Sequence, residues 1–386
     1  MKKLLVGCFF LFIVNFAFAT ETEEVCSYPT IKVGLIAELT GSMRDIGKAE
    51  KNAALLAVQN INNSGGIKIG GLDYKIDLII ADTASKPEQA ASVAKTLITQ
   101  NKVVAIIGPS SSNNFAPVAE VVEKYNVPTI TPWATDNSIS FDPKTKQPRH
   151  YVFRVCFTDL DEVESVGKFA VHTLKAKTAA VFFDSGFQVF KEQSDFFQKV
   201  FTQLGGKIVF AESYNAKTKS FASLLTELKN AAPDVVFMPS YFASVAPILT
   251  LARQIGVTAP FIGSDGWFSG DLFKYCGMPC NGSYVINHFL PTVGRSQDTE
   301  FIKAYALQYG FAPNDVAALT YDAFGLLAEA LKNAKHNDRQ AIQESLAKIS
   351  SFRGITGEMH FRSGSGDPIK KAVIMKINEG KLIGNE

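Results

Sequence analysis

Ile106-Ile107-Gly108-Pro109-Ser110-Ser111-Ser112 is the stretch from which the fold of this chain reads outward. The apolar run Val103 to Ile107 reads as a buried strand, ending in Gly-Pro and three serines. Directly after it, Phe115, Val118, Ala119, Val122 and Tyr125 fall at helical spacing within Asn113 to Tyr125. A second apolar run, Val127 to Thr131, leads into Trp133-Ala134-Thr135. Free N–H groups and the helix dipole make a serine cluster at such a strand-to-helix turn a natural anion site. The plainer reading is that Ser110 to Ser112 only cap the helix, and both readings stand at this point. Hydroxyls at two adjacent strand ends suit a small carboxylate better than a polyphosphate, since no Gly-rich loop or lysine follows.

The same strand–helix alternation runs outward in both directions. Ile31 to Glu38 reads as a strand, Lys48 to Ile61 as a helix closed by Asn63-Ser64-Gly65-Gly66, and Tyr74 to Ala81 as a strand. In Ser85-Lys86-Pro87-Glu88, Ser85 is placed to cap the next helix, with Glu88 completing a capping box. Beyond residue 160, strands are expected at Ala179 to Phe183, Lys207 to Glu212, Asp234 to Met238 and Pro260 to Ile262. Helices are expected at Glu162 to Leu174, Val189 to Leu204, Phe221 to Asn230 and Ser244 to Ile255. Short connections and continuous Val/Ile/Phe strands mean parallel sheets covered on both faces. The polar break at Asn137 to His150 separates two doubly wound α/β lobes, with the strand near 151–158 crossing between them. Ligands of such sheets bind beyond the carboxyl ends of the strands, so the expected site is the cleft between the lobes.

Met1-Lys2-Lys3, the apolar stretch Leu4 to Phe18 and Ala17-Phe18-Ala19 form an export signal cleaved after Ala19. Its removal takes two lysines from 39 basic residues and none from 37 acidic ones, so the mature chain balances to zero. That gives no electrostatic reason to expect nucleic acid or a membrane surface as partner. Of the remaining cysteines, Cys276 and Cys280 are close enough for a local disulfide, which the spacing leaves open. Cys156 lies in the apolar run Tyr151 to Phe157 and reads as a small buried residue, and Cys26 has no assignment. The five histidines are scattered, none pairing with a cysteine at ligand spacing, so no metal is expected.

The usual enzyme signatures are missing. Glu38-Leu39-Thr40-Gly41-Ser42 follows the first strand where a dinucleotide fingerprint would begin. There is no P-loop and no nucleophile elbow. Ser363-Gly364-Ser365-Gly366-Asp367-Pro368 precedes a strand and reads as a hairpin turn rather than a phosphate loop.

From Ile31 to about Ile383 the chain resembles the periplasmic branched-chain amino-acid-binding proteins (Leu/Ile/Val-binding type), the solute receptors of amino-acid ABC importers. The resemblance rests on Ile31-Lys32-Val33-Gly34-Leu35 with Thr40-Gly41, on Asn62-Asn63-Ser64-Gly65-Gly66-Ile67, and on Gly108 to Ser112. It continues through Pro132-Trp133-Ala134-Thr135, Phe153 to Phe157, Gly263-Ser264-Asp265-Gly266, Thr320-Tyr321-Asp322-Ala323 and Phe352 to Gly357. It implies a type I periplasmic binding protein with a three-crossing hinge. The lobes would be 30–157 plus 289–370 and 158–288 plus 371–386. It also implies a non-enzymatic, cofactor-free monomer that hands a free α-amino acid to an inner-membrane permease and its ATPase subunits. Residue by residue, Ser112 falls where a serine hydroxyl and N–H hold the ligand's α-carboxylate, and Thr135 where an N–H adds to it while the hydroxyl reaches the α-ammonium alongside the Trp133 carbonyl, with Ala134 between them. Asp265 falls where an acid faces the α-ammonium, and Tyr241 where an aromatic closes from the second lobe. Tyr321 is an open case, lining the cleft or packing beside it, whereas Asp322 reads as structural.

The departures concern side-chain specificity. Ile46 replaces an aromatic beside the ligand side chain, Glu162 stands where Gln-Gly is usual, and Gln188 where a tyrosine is common. Ser85 and Ser111 occupy the places of a disulfide found in some relatives. An aliphatic amino acid is the expected ligand. An amide or aromatic acid, or a sensory role, is the alternative.

Overall fold

A computed structural model describes residues 28–384 apart from 143, 216, 219, 269–271, 290–295 and 363. The export signal and Cys26 lie outside these residues. Strands β1 (Thr30–Ala37), β2 (Ile67–Ile69), β3 (Leu72–Asp82), β4 (Ala105–Ile107), β5 (Thr129–Thr131) and β6 (Val152–Arg154) form the first sheet. Their order is β2-β3-β1-β4-β5-β6, parallel except for β2. The second half of the chain contributes β7 (Thr178–Asp184), β8 (Lys207–Tyr214), β9 (Val235–Met238), β10 (Phe261–Gly263) and β11 (Tyr284–Asn287). A small antiparallel sheet follows, made of β12 (Ser351–Gly354), β13 (Gly357–Phe361) and β14 (Pro368–Lys370). The final hairpin, β15 (Val373–Asn378) and β16 (Lys381–Gly384), completes the second sheet as β16-β15-β11-β10-β9-β7-β8.

Continuous apolar strands make sense because each sheet is packed on both faces. Val33, Leu35 and Ala37 point to one side of the first sheet, against Ala53 and Ala57 of helix Arg44–Asn63 and Leu327 and Leu331 of helix Asp315–Asn333. Ile36 and Ile106 point to the other, against helices Pro87–Thr99 and Ser112–Tyr125. The second sheet repeats the plan. Phe182, Val236 and Met238 meet helices Ala222–Ala231 and Phe242–Ile255. Val181, Val235 and Phe237 meet helices Asp159–Lys168 and Gln188–Gln203.

Four local readings are corrected. The sheets are not wholly parallel, because β2, β15 and β16 pair antiparallel at their edges. The run Lys370 to Ile377 is two strands in two sheets. Lys370 is buried with its Nζ donating to the Val155 carbonyl and the Thr356 hydroxyl, which holds β14 back while β15 crosses to β11. Ser85 does not cap its helix. The cap position is Lys86, with no side-chain cap bond; the Ser85 hydroxyl instead donates to the Thr40 carbonyl and accepts from the Met43 N–H. The helix expected from Glu162 begins at Asp159, where Thr158 and Asp161 form a reciprocal capping box, and ends in a π-turn at Phe169–Thr173.

The chain passes from the first sheet to the second after β6, and from the small antiparallel sheet to the second between β14 and β15. A return passage near 289–295 lies largely outside the described residues. Cys276 and Cys280 are joined by a disulfide with Cα atoms 5.7 Å apart, whereas Cys156 is free and buried.

Candidate functional site

In each sheet the winding direction reverses at the strand that has its successors on both sides, and the crevice of such a sheet opens there. In the first sheet β1 has β3 on one side and β4 on the other; in the second, β7 lies between β8 and β9. Strand ends of both sheets converge on one narrow cavity of about 20 Å³. Its walls are Ser111, Ser112, Trp133 and Thr135 from beyond β4 and β5, Val189, Phe190 and Gln193 from helix Gln188–Gln203, and Tyr241 and Asp265 from beyond β9 and β10.

The serine loop depends on Gly108, at φ +80°, where a Cβ would collide with the Ile36 carbonyl and the Glu50 carboxyl. Ser111 occupies the helix cap position but does not cap. Its N–H and hydroxyl donate to Glu38 Oε1 at 3.1 and 2.7 Å, and Asn114 Nδ2 adds a third bond at 3.0 Å. Ser112 opens the helix and accepts from the Asp136 N–H at 3.2 Å, leaving its hydroxyl proton for the cavity. Thr135 stands on the adjacent loop, its carbonyl bonded to the Asp159 N–H at 2.9 Å. The Trp133 indole donates to Asp315 at 3.1 Å, which fixes the ring as one wall.

Across the cavity, Tyr241 packs edge-on against Phe187 and Phe190, each with centroids 4.8 Å away. Asp265 is buried, its N–H donating to Glu162 Oε1 at 2.9 Å and its Oδ2 3.3 Å from His288 Nε2. Burial, then Asp159 and Asp315, push the Asp265 carboxyl well above the usual carboxylate range. Glu162 is raised likewise by burial and by Asp265. His288 is held well below its ordinary value by burial and by Lys370, so it stays neutral and does not offset Asp265. No lysine, arginine or histidine lines the cavity among the described residues. One end therefore offers hydroxyls and a helix N-terminus, and the other an acid without a counter-charge. Such a pair of ends suits a small molecule carrying an anionic and a cationic group.

Three expected residues stand elsewhere. Ala134 is not a wall: its N–H donates to Thr131 Oγ1, and its carbonyl accepts from Arg154 and Cys156. Ile46 faces the first core, because the helix starts at Arg44 and puts it in line with Ala49 and Ala53. Tyr321 belongs to a separate concavity, its hydroxyl accepting from Asn60 at 3.0 Å and its ring 4.7 Å from Phe301. Gln188 is exposed and bonds Glu192. Glu38, Asp159 and Gln193 were not anticipated. Glu38 directly follows the end of β1 and Asp159 opens its helix, positions visible in the sequence. Gln193 lies a full turn into its helix and carried no such signal.

Asp159 gives a pH-dependent expectation. Burial, then Asp136, raise its pKa to about 7 against an ordinary 3.8. The folded chain holds this proton after the unfolded chain has lost it, so stability falls as pH rises from about 4 to about 7 and then levels. The span is worth up to about 4 kcal/mol. The lowered His288 acts oppositely in an overlapping window, so the readout is the difference between wild type and Asp159→Asn in melting midpoint against pH. The variant is expected to gain most above pH 7; equal profiles would contradict the assignment.

A family model described as periplasmic binding protein matches residues 30–381. The chain is 27% identical over 338 residues to a leucine-, isoleucine-, valine-, threonine- and alanine-binding protein of Pseudomonas aeruginosa, covering 86% of each. Among solved structures it is similar to the branched-chain amino acid transporter substrate binding protein LivJ of Streptococcus pneumoniae, in complex with isoleucine. The TM-score is 0.81 at 31% identity, over 92% of this chain and 100% of that one. The leucine binding protein LivK of Thermotoga maritima gives 0.82 at 28% identity, over 92% and 98%.

Proposed function

Because the chain belongs to the periplasmic binding protein family, we propose that it is the solute receptor of an ABC importer. It captures a free aliphatic α-amino acid between its lobes and delivers it to an inner-membrane permease and its ATPase subunits. The observation that carries this reading is the polarity of the cavity: Ser112 and Thr135 at one end, Asp265 at the other, and no basic side chain in the described wall. A zwitterion meets a partner at each end. An acid without an ammonium leaves Asp265 unanswered, and an amide leaves the hydroxyl end without its anion. The cavity, about 20 Å³, is narrower than an amino acid, so the ligand is admitted with the lobes further apart and seated as they close. Val189, Phe190, Tyr241 and Trp133 give its walls an apolar character, in keeping with the isoleucine held by the Streptococcus relative.

In this reading Ser112 and Thr135 hold the α-carboxylate, Asp265 the α-ammonium, and Tyr241 closes over both. Residues 30–157 with 289–370 and 158–288 with 371–386 are the bodies that close. Both ends of the ligand are satisfied only when the two meet, so ligand favours closure. Residues 1–19 direct export and are removed after Ala19, and the mature chain works as a monomer without catalysis.

A thermal-shift panel of amino acids, amides and aromatic acids tests the function. A ligand at a hundred times its dissociation constant stabilises by about 2.7 kcal/mol. Leucine, isoleucine or valine are expected to raise the midpoint by several degrees. A shift with amides or aromatic acids alone would replace this reading by the alternative, and turnover of a bound compound would refute the non-enzymatic role.

A further inference from the structure

Gln193 is fully buried, 1% exposed, one turn into helix Gln188–Gln203, and its side chain reaches the cavity wall. Its Nε2 donates to Asp159 Oδ1 at 2.7 Å and to Glu162 Oε2 at 2.9 Å, which uses both amide protons. Above pH 7 Asp159 is ionised, and turning the amide over would set its carbonyl against a carboxylate, so the bond to Asp159 fixes the orientation. Its Oε1 is left buried without a partner. A buried carbonyl with no donor is costly, and natural structures rarely leave one unless a ligand or water completes it.

An α-ammonium carries three N–H donors, and beside Asp265 the Gln193 carbonyl is an unpartnered acceptor on a residue of the same wall. We propose that Gln193 is a ligand-binding residue, its Oε1 accepting a hydrogen bond from the ligand's ammonium, with Asp159 and Glu162 as positioning residues that hold the amide in that orientation. This rests on the amino-acid reading above and adds a requirement to it. The site selects for a primary ammonium, because each missing N–H strands an acceptor that water in so small a cavity has little room to satisfy. Both carboxyl groups hold the amide nitrogen, so the selection is built from a helix residue rather than from the strand-end loops.

The test is calorimetry with L-leucine and N-methyl-L-leucine on wild type and Gln193→Met, with melting midpoints recorded without ligand. Wild type is expected to bind L-leucine at least tenfold more tightly than the N-methyl compound. Gln193→Met is expected to weaken L-leucine at least tenfold while changing N-methyl-L-leucine less than threefold. If the variant does not fold, Gln193→Asn, which keeps an amide but withdraws its carbonyl, is expected to show the same unequal loss. An equal loss for both ligands means that Gln193 only packs, and L-leucine binding within threefold of wild type means that it touches nothing; either overturns the inference. If wild type binds none of leucine, isoleucine or valine, the amino-acid reading itself fails and takes this inference with it.

Discussion

Replacing Asp265 by asparagine is expected to weaken amino-acid binding by 30-fold or more. The change keeps size and most hydrogen bonding but removes the one charge that answers the ligand's ammonium. Truncating one partner of a buried charged pair costs about 2–5 kcal/mol, and each 1.4 kcal/mol is tenfold in affinity. The ligand-free protein is expected to behave oppositely. Burial and neighbouring acids raise the Asp265 carboxyl well above its usual range, so in the empty site its charge is a burden. Asp265→Asn should therefore melt no lower than wild type while binding far worse. Ser112→Ala should cost less, since the N–H groups at the helix start remain.

Asp322→Asn is the control. Its carboxylate accepts from the Ile355 and Thr356 N–H groups at 2.5 and 2.9 Å and lies outside the cavity, so stability should fall and affinity should not. Calorimetry with L-leucine reads all three. Asp265→Asn binding within threefold of wild type would reduce Asp265 to a turn residue and sink the assignment.

The largest loss of stability is expected from Arg154→Met. Arg154 is fully buried; its Nε lies 2.6 Å from Asp367, and its remaining nitrogens donate to the Ala134 and Asp136 carbonyls and to Ser140. One side chain thus ties the end of β6 to the loop that carries Thr135 and to the β13–β14 hairpin turn. Breaking a buried pair from one side leaves an uncompensated charge and costs about 3–5 kcal/mol. A fall in melting midpoint on the order of 10 °C follows. Adding Asp367→Leu should recover part of the loss, because the stranded carboxylate then disappears. A single-variant midpoint within about 2 °C of wild type would show that the pair does not hold this corner together.

Much of this architecture was legible in the chain because parallel strands covered on both faces must be apolar throughout. Val103 to Ile107, Asp234 to Met238 and Ala179 to Phe183 declare themselves in that way. The edges were not legible. Strands β15 and β16 carry exposed positions on one side and pair by register rather than by composition, so the break after Lys370 shows only in space. Ser112 and Thr135 stand out because they lie just beyond strand ends, where these folds place ligands, whereas Trp133, Tyr241 and Asp265 took their roles from the family resemblance; the five line one cavity. Ser111 was ambiguous, since its cap position gives no hint that its hydroxyl turns to Glu38, 73 residues earlier. Gln193 was invisible: a glutamine on an amphipathic helix reads as surface until Asp159 and Glu162 are brought beneath it.

A crystal structure of the purified protein with L-leucine tests the central claim most directly. The expected complex has the α-carboxylate within about 3.2 Å of the Ser112 and Thr135 donors and the α-ammonium at like distance from Asp265. A cavity without leucine, or leucine with its carboxylate turned toward Asp265, would contradict the zwitterion site.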